Sequence, residues 1–269
     1  MKITNFEIAF ALTLIAGLST GIGSLVVLSK KSTNKKFMSV ALGFSAGIMI
    51  YISFVEILTS ANKYLVSAQG FKIGSLIAAA AFFGGILLIA VIDKLVPEYE
   101  NPHEMHTGLD CKSAESKANS KMMKVGVMTA IAITIHNIPE GLATFASAVK
   151  DPKIGLFIAF AVAIHNIPEG IAVAVPIFCS TGKKRKAFLW SFASGLTEVV
   201  GALLGCFIFL PFLNDTVFGI IFAVVAGIMV FISFDELLPA AREYGEHHLS
   251  IYGLILGMAF MASSLILLK

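Results

Sequence analysis

Eight apolar stretches follow one another along the chain, at about 5–29, 37–60, 70–96, 122–149, 153–180, 186–211, 215–240 and 250–268. A helix needs about 20 apolar residues to cross a bilayer, so each stretch is long enough to span one. Of the 269 residues 57% are hydrophobic and only 14% charged, whereas a soluble domain carries about 25% charged residues. The expectation is an all-α membrane protein, one transmembrane domain over 1–269 with eight transmembrane helices and a polar cytoplasmic loop at about 97–121. The first stretch is too long for the core of a signal peptide, and Lys30 and Lys31 follow it as a stop-transfer flank would.

The positive charges predict an orientation. Loops that stay in the cytoplasm collect Lys and Arg. With eight crossings, 14 of the 20 Lys and Arg residues fall on one side of the membrane, mostly between stretches one and two, three and four, and five and six. The other 6 fall on the opposite side. Both termini are therefore expected outside the cytoplasm, in a multi-pass protein of the cell membrane. Cys111, Cys179 and Cys206 show no metal-binding or redox spacing and read as inert thiols.

Two segments occur twice. AGIMIYISFVEILTSA at 46–61 returns as AGIMVFISFDELLPAA at 226–241, with ten of sixteen positions identical. HNIPEG at 136–141 returns at 165–170, with Ala132/Ala161, Ile135/Ile164 and Ala143/Ala172 also matching. Each repeat joins stretches that run in opposite directions, two with seven and four with five. Such matching predicts a pseudo-two-fold axis in the membrane plane, the inverted-repeat design of secondary transporters, with a site near the midplane. Glycine pairs four apart, such as Gly43/Gly47 and Gly253/Gly257, mark places where helices approach closely.

Polar residues interrupt the middle of three stretches. The fourth carries His136, Asn137 and Glu140, the fifth His165, Asn166 and Glu169, and the sixth Glu198. A charged side chain at the bilayer centre costs roughly 2.5–3.5 kcal/mol on insertion scales, so such residues need partners or a purpose. Within each copy the Glu lies four residues after the His and three after the Asn, so each carboxylate shares a helix face with both. Pro139 and Pro168 remove the amides that would bond the carbonyls of Ile135 and Ile164. Imidazole nitrogen with carboxylate oxygen suits zinc and other first-row divalent ions.

The double HNIPEG, together with Glu198 in SGLTEVVGA, closely resembles the ZIP family of zinc and iron permeases, in particular its bacterial zinc-uptake branch. The resemblance covers essentially the whole chain. It implies a 3+2+3 arrangement of eight helices with both termini outside, a homodimer, and a binuclear metal centre. In that centre His136, Glu140 and Glu169 match one position, with His165 as a fourth ligand. Asn137, Glu140, Asn166, Glu169 and Glu198 match the other. Some members have Gln-Asp where this chain has His165-Asn166, so the second position here carries less negative charge.

The other repeat supplies a candidate path. Met49, Ser53 and Glu56 fall on one helix face, as do Met229, Ser233 and Glu236, with Asp235 adjacent. Each stripe runs from a membrane mouth towards the midplane, and reads either as a route for a partly dehydrated cation or as core packing with solvated ends. The 97–121 stretch contains His103, His106, Glu98, Glu100 and Asp110, and reads either as a loose metal store or as a plain linker. No phosphate-binding G-x-x-x-x-G-K-[ST] segment is present, so transport is expected to run on ion gradients. The expected substrate is zinc, with iron, manganese, cobalt and cadmium also open. No cofactor beyond the transported ions and no nucleic-acid partner is expected; the surrounding partner is membrane lipid. Two rival readings are a metal-gated channel or receptor, and an intramembrane metalloenzyme. The latter is disfavoured because H-E-x-x-H is absent.

Overall fold

The computed structural model describes residues 3–25, 34–95, 116–209, 214–244 and 247–268, and the regular elements among them are all helical. Helix α1 is Ile3–Ser24. Helix α2 starts as Lys35–Ile52, passes through a π turn at Ser53–Ile57 and continues as Leu58–Gln69. Helices α3, α4 and α5 are Phe71–Leu95, Ser116–Lys150 and Pro152–Thr181. Helix α6 runs Lys184–Gly195, steps at Leu196 and resumes as Thr197–Leu204. Helix α7 is Asp215–Ile232, a π turn at Ser233–Leu237, then Leu238–Tyr244. Helix α8 is His247–Leu268. Among the described residues seven of these, all but α4, are long and apolar enough to cross a membrane. Residues 97–115, which hold the His103 and His106 stretch, lie outside the described residues.

Local chemistry sets the helix ends. The side chains of Asn34, Asp151 and Asn214 cap α2, α5 and α7 by accepting from the amides of Phe37, Lys153 and Val217. Each such cap stabilises its helix by about 1 kcal/mol. Pro152 opens α5, where its missing amide would have had no partner. Gly182 closes α5 at φ +65, the left-handed conformation that glycine adopts without strain. Helix α2 runs to Gln69, nine residues beyond the apolar stretch, because its last segment still buries Ala61 and Leu65.

The interior is the pair α4 and α5, packed on each other and flanked by α1 and α6; α2 packs on α8, and α7 on α3. The outer faces of α3 and α8 expose Leu76, Phe83 and Leu87, and Ile255, Leu256 and Ile266, as helices facing lipid do. Small residues bring the helices together. A Cβ on Gly43 or Gly47 would lie 2.3 and 2.1 Å from the carbonyl oxygens of Ser250 and Leu254, and one on Gly253 or Gly257 as close to those of Val40 and Phe44. The α3–α7 crossing is built the same way, with Gly85 on the Val224 carbonyl and Gly227 on that of Phe82. Cys206 is a free thiol. Cys179 is disulfide-bonded, which corrects the reading of all three cysteines as inert, because spacing along the chain does not report which segments meet in space.

Contacts recur at fixed sequence offsets. At an offset of 180, Asn34 and Asn214 cap their helices, π turns start at Ser53 and Ser233, and the two serines donate to the carbonyls of Met49 and Met229 at 2.6 and 2.7 Å. At an offset of 29, Asn137 and Asn166 donate to the carbonyls of Ser194 and Ala16 at 3.0 and 3.1 Å. Those acceptors are themselves 178 apart, as are Gly23 and Gly201, which press on the carbonyls of Ile167 and Ile138.

Candidate metal centre

The HNIPEG segments lie in the middle of α4 and α5, and both helices run through their prolines without a break. The glycine ending each motif explains how the segments are held. A Cβ on Gly141 would stand 2.0 Å from the Glu198 carbonyl oxygen, and one on Gly170 would stand 1.9 Å from that of Thr20. Helix α4 is thereby seated on α6, and α5 on α1, one residue beyond each motif glutamate. Further polar ties fix the surroundings. Ser45 of α2 donates to the His165 carbonyl at 3.0 Å, and the Ser191 hydroxyl of α6 sits 3.1 Å from the carbonyl oxygens of both Thr20 and Gly170.

The remaining motif side chains converge. His136, Asn137, Glu140, His165, Asn166, Glu169 and Glu198 are all buried, none more than 2% exposed. His136 Nε2 lies 3.6 Å from Glu140 Oε2 on its own helix and 3.5 Å from Glu169 Oε1 on the next. His165 Nε2 lies 2.7 Å from Glu140 Oε1. Spacing along one helix pairs each histidine with its own glutamate; the fold adds the cross-helix pairs. His136, His165 and Glu169 each offer a ligand atom within 4.8 Å of the others.

A second group adjoins the first. Asn166 Nδ2 donates to Glu198 Oε1, and Glu198 stands within electrostatic reach of Glu140 and Glu169. The contacts in the first group are at ion-pair distance. Both nitrogens of each histidine, both oxygens of Glu140 and of Glu169, and Asn137 Oδ1, Asn166 Oδ1 and Glu198 Oε2 have no hydrogen-bond partner among the described residues. Buried polar atoms are normally satisfied, and a cluster of orphaned lone pairs needs an explanation. Three buried carboxylates close together repel one another unless positive charge lies among them. Nitrogen and oxygen donors at this spacing provide a pocket for divalent cations.

The path residues are placed as follows. Met49 and Met229 are fully buried in the apolar core. Ser53 and Ser233 spend their hydroxyl protons on their own helices, leaving oxygen lone pairs. Each pair sits where α2 or α7 enters its π turn, a feature frequent at functional sites. Glu56 is buried, while Asp235 and Glu236 are half-buried. Glu236 lies within electrostatic reach of His136, more weakly than Glu169 and Glu140 do.

Sequence reading missed one correspondence, that of α1 with α6. Its signal is Gly17-Leu18-Ser19-Thr20 against Gly195-Leu196-Thr197-Glu198, with Gly23 against Gly201. Small residues make such a match hard to see.

Known proteins resemble the chain along its whole length. A family model for the ZIP zinc transporter matches residues 93–265. The zinc transporter ZupT of Streptococcus mutans is 60% identical over 259 residues, covering 96% of this chain and 97% of that protein. The zinc transporter ZupT of Lysinibacillus sphaericus is 59% identical over 265 residues, with 98% of each chain covered. That of Clostridium perfringens is 53% identical over 278 residues, covering 99% of this chain and 98% of the relative.

Proposed function

This chain belongs to the ZIP zinc transporter family, and from that premise we propose that it takes zinc into the cytoplasm through the buried His–Asn–Glu cluster of α4, α5 and α6. One observation carries the reading: three carboxylates and two imidazoles meet in the middle of membrane helices, and of their nitrogen and oxygen atoms all but Glu198 Oε1 make no hydrogen bond among the described residues. The centre holds two cation positions. His136, His165, Glu140 and Glu169 line the first; Asn137, Asn166 and Glu198 line the second with the same two glutamates. Iron, manganese, cobalt and cadmium compete for both.

The chain crosses the membrane eight times, with α4 as the eighth span and both termini outside. Its two halves form an inverted repeat in the 3+2+3 order, α1–α3 and α6–α8 flanking α4 and α5. The recurring caps, π turns and glycine contacts support this arrangement. Rocking of one set of helices against the other around the fixed centre gives alternating access. The membrane potential favours inward movement of a divalent ion by about 4.6 kcal/mol per 100 mV, from about 2.3 per charge, so no nucleotide is required. Glu56 collects ions at the outer mouth, and Asp235 and Glu236 receive them on the inner side.

Zinc uptake into proteoliposomes tests the reading. Uptake is expected to saturate with zinc concentration and to rise with an inside-negative potential. Flux that grows linearly without saturation belongs to a channel and contradicts the carrier. In the same assay His136→Ala is expected to reduce zinc uptake more than manganese uptake, because removing the imidazole leaves an oxygen-dominated site. Equal reductions for both metals count against His136 as a ligand.

The topology has its own test. Single cysteines at Lys35 and Lys184 are expected to react with an impermeant maleimide only from the cytoplasmic side, and those at Ser67 and Lys153 only from outside. Labelling of Lys35→Cys and Lys153→Cys from one side contradicts eight crossings.

A further inference from the structure

Thr20 of α1 is fully buried, and its hydroxyl has no hydrogen-bond partner among the described residues. Its neighbours behave differently. Thr13, Ser19 and Ser24 of the same helix turn their hydroxyls to carbonyls three or four residues earlier, at 2.9, 2.6 and 2.6 Å. That back-bond is the ordinary way to bury a hydroxyl in a helix, and Thr20 does not make it.

The contacts linking α1 to α6 show where the hydroxyl lies. Asn166 holds the Ala16 carbonyl as Asn137 holds that of Ser194. Ser19 donates to Ala16 as Thr197 donates to Ser194. Gly170 presses on the Thr20 carbonyl as Gly141 presses on that of Glu198. Each relation carries Thr20 onto Glu198. Across the helix crossing the match persists: a Cβ on Gly195 would lie 2.8 Å from Thr20 Oγ1, and one on Gly17 would lie 3.4 Å from Glu198 Cβ. Glu198 meets Asn166. The counterpart of Asn166 is Asn137, whose Oδ1 also lacks a partner among the described residues.

We propose that Thr20 is a further ligand of the metal centre: its hydroxyl offers a neutral oxygen on the Asn137 side of the second cation position, opposite the Glu198 carboxylate. The proposal rests on reading the cluster as the transport centre. A carboxylate on one side and a hydroxyl on the other give this position one charge from the α1–α6 pair instead of two. A cation held there is then bound less deeply and released more readily. A hydroxyl is a hard donor, so its share is larger for manganese than for zinc.

Thr20→Val keeps the shape and removes the oxygen; Thr20→Ser keeps the oxygen. Uptake of zinc and manganese is measured in proteoliposomes at matched protein levels, with Glu140→Gln alongside. The expected result is a half-saturating concentration raised about 2- to 10-fold by Thr20→Val, from the usual contribution of one polar contact. The rise is larger for manganese, the maximal rate is little changed, and Thr20→Ser behaves as the unmodified protein does. Unchanged half-saturation of both metals in Thr20→Val overturns the proposal, as does equal impairment in the serine variant, which would assign the effect to the lost methyl group. Should the valine variant fail to fold, Thr20→Cys replaces the oxygen by sulfur at similar size and is expected to shift preference from manganese towards cadmium; no shift overturns the proposal. Glu140→Gln separates the two levels. If it is inactive while Thr20→Val is normal, only the role of Thr20 fails; if it transports normally, the centre itself is misplaced.

Discussion

Glu140→Gln and Glu169→Gln are each expected to reach the membrane in normal amount and to lose about 100-fold or more of zinc uptake. Changes to groups that only orient metal ligands already cost about 10- to 100-fold, and the proposed role of these two carboxylates is to bind the cations themselves. Glu140 approaches His136 and His165, and Glu169 approaches His136. Each glutamate is also within electrostatic reach of Glu198. Removing either charge is therefore expected to weaken both proposed cation positions at once. Folding is spared because glutamine has nearly the same shape and is cheaper to place in a bilayer than an ionised carboxylate. Uptake at matched membrane levels checks this, and near-normal rates in either variant would reduce the cluster to a structural network.

Gly141→Val is expected to fail differently, by preventing assembly. Its Cβ would fall 2.0 Å from the Glu198 carbonyl oxygen and 2.6 Å from the Glu198 Cα. The obstacle is backbone, so α4 and α6 must separate. Overpacking of a tight contact costs about 1–3 kcal/mol and occasionally more; contact this short with main chain belongs at the upper end. The separation also pulls Glu140 away from Glu198, so any protein that survives is inactive. Gly84→Val on α3 is the control, since nothing lies within 4 Å of a Cβ there. Size-exclusion profiles and melting curves in detergent should show an aggregated or sharply destabilised Gly141→Val beside a normal Gly84→Val. A stable, monodisperse Gly141→Val would mean that α4 and α6 do not meet as described.

The all-helical membrane architecture is legible in the sequence because apolar stretches of spanning length leave a chain few other choices. The candidate residues are legible for the same reason in reverse: His136, Glu140, His165, Glu169 and Glu198 are expensive in an apolar setting and stand out. What spacing could not supply was contact between helices. The i, i+4 pattern pairs His165 with Glu169, whereas the fold brings Glu140 to 2.7 Å from His165. The π turns at Ser53 and Ser233 have no sequence signature beyond the repeat itself, since a π turn is a local choice of hydrogen bond rather than of residue type. The back-bonding of both serines was hidden for that reason. Thr20 escaped notice because a threonine in a membrane helix usually satisfies itself, and only the fold reveals that this one does not.

Zinc is expected to rest on the α4–α5 cluster on its way across the membrane. Anomalous scattering at the zinc edge, from crystals of the full chain equilibrated with zinc, tests this most directly. The expected result is a peak at bonding distance, about 2.0–2.2 Å, from His136 Nε2 and from oxygens of Glu140 and Glu169. A second, weaker peak is predicted beside Asn137, Asn166 and Glu198. Zinc peaks confined to the surface, with none among these side chains in a protein that still transports, would contradict it.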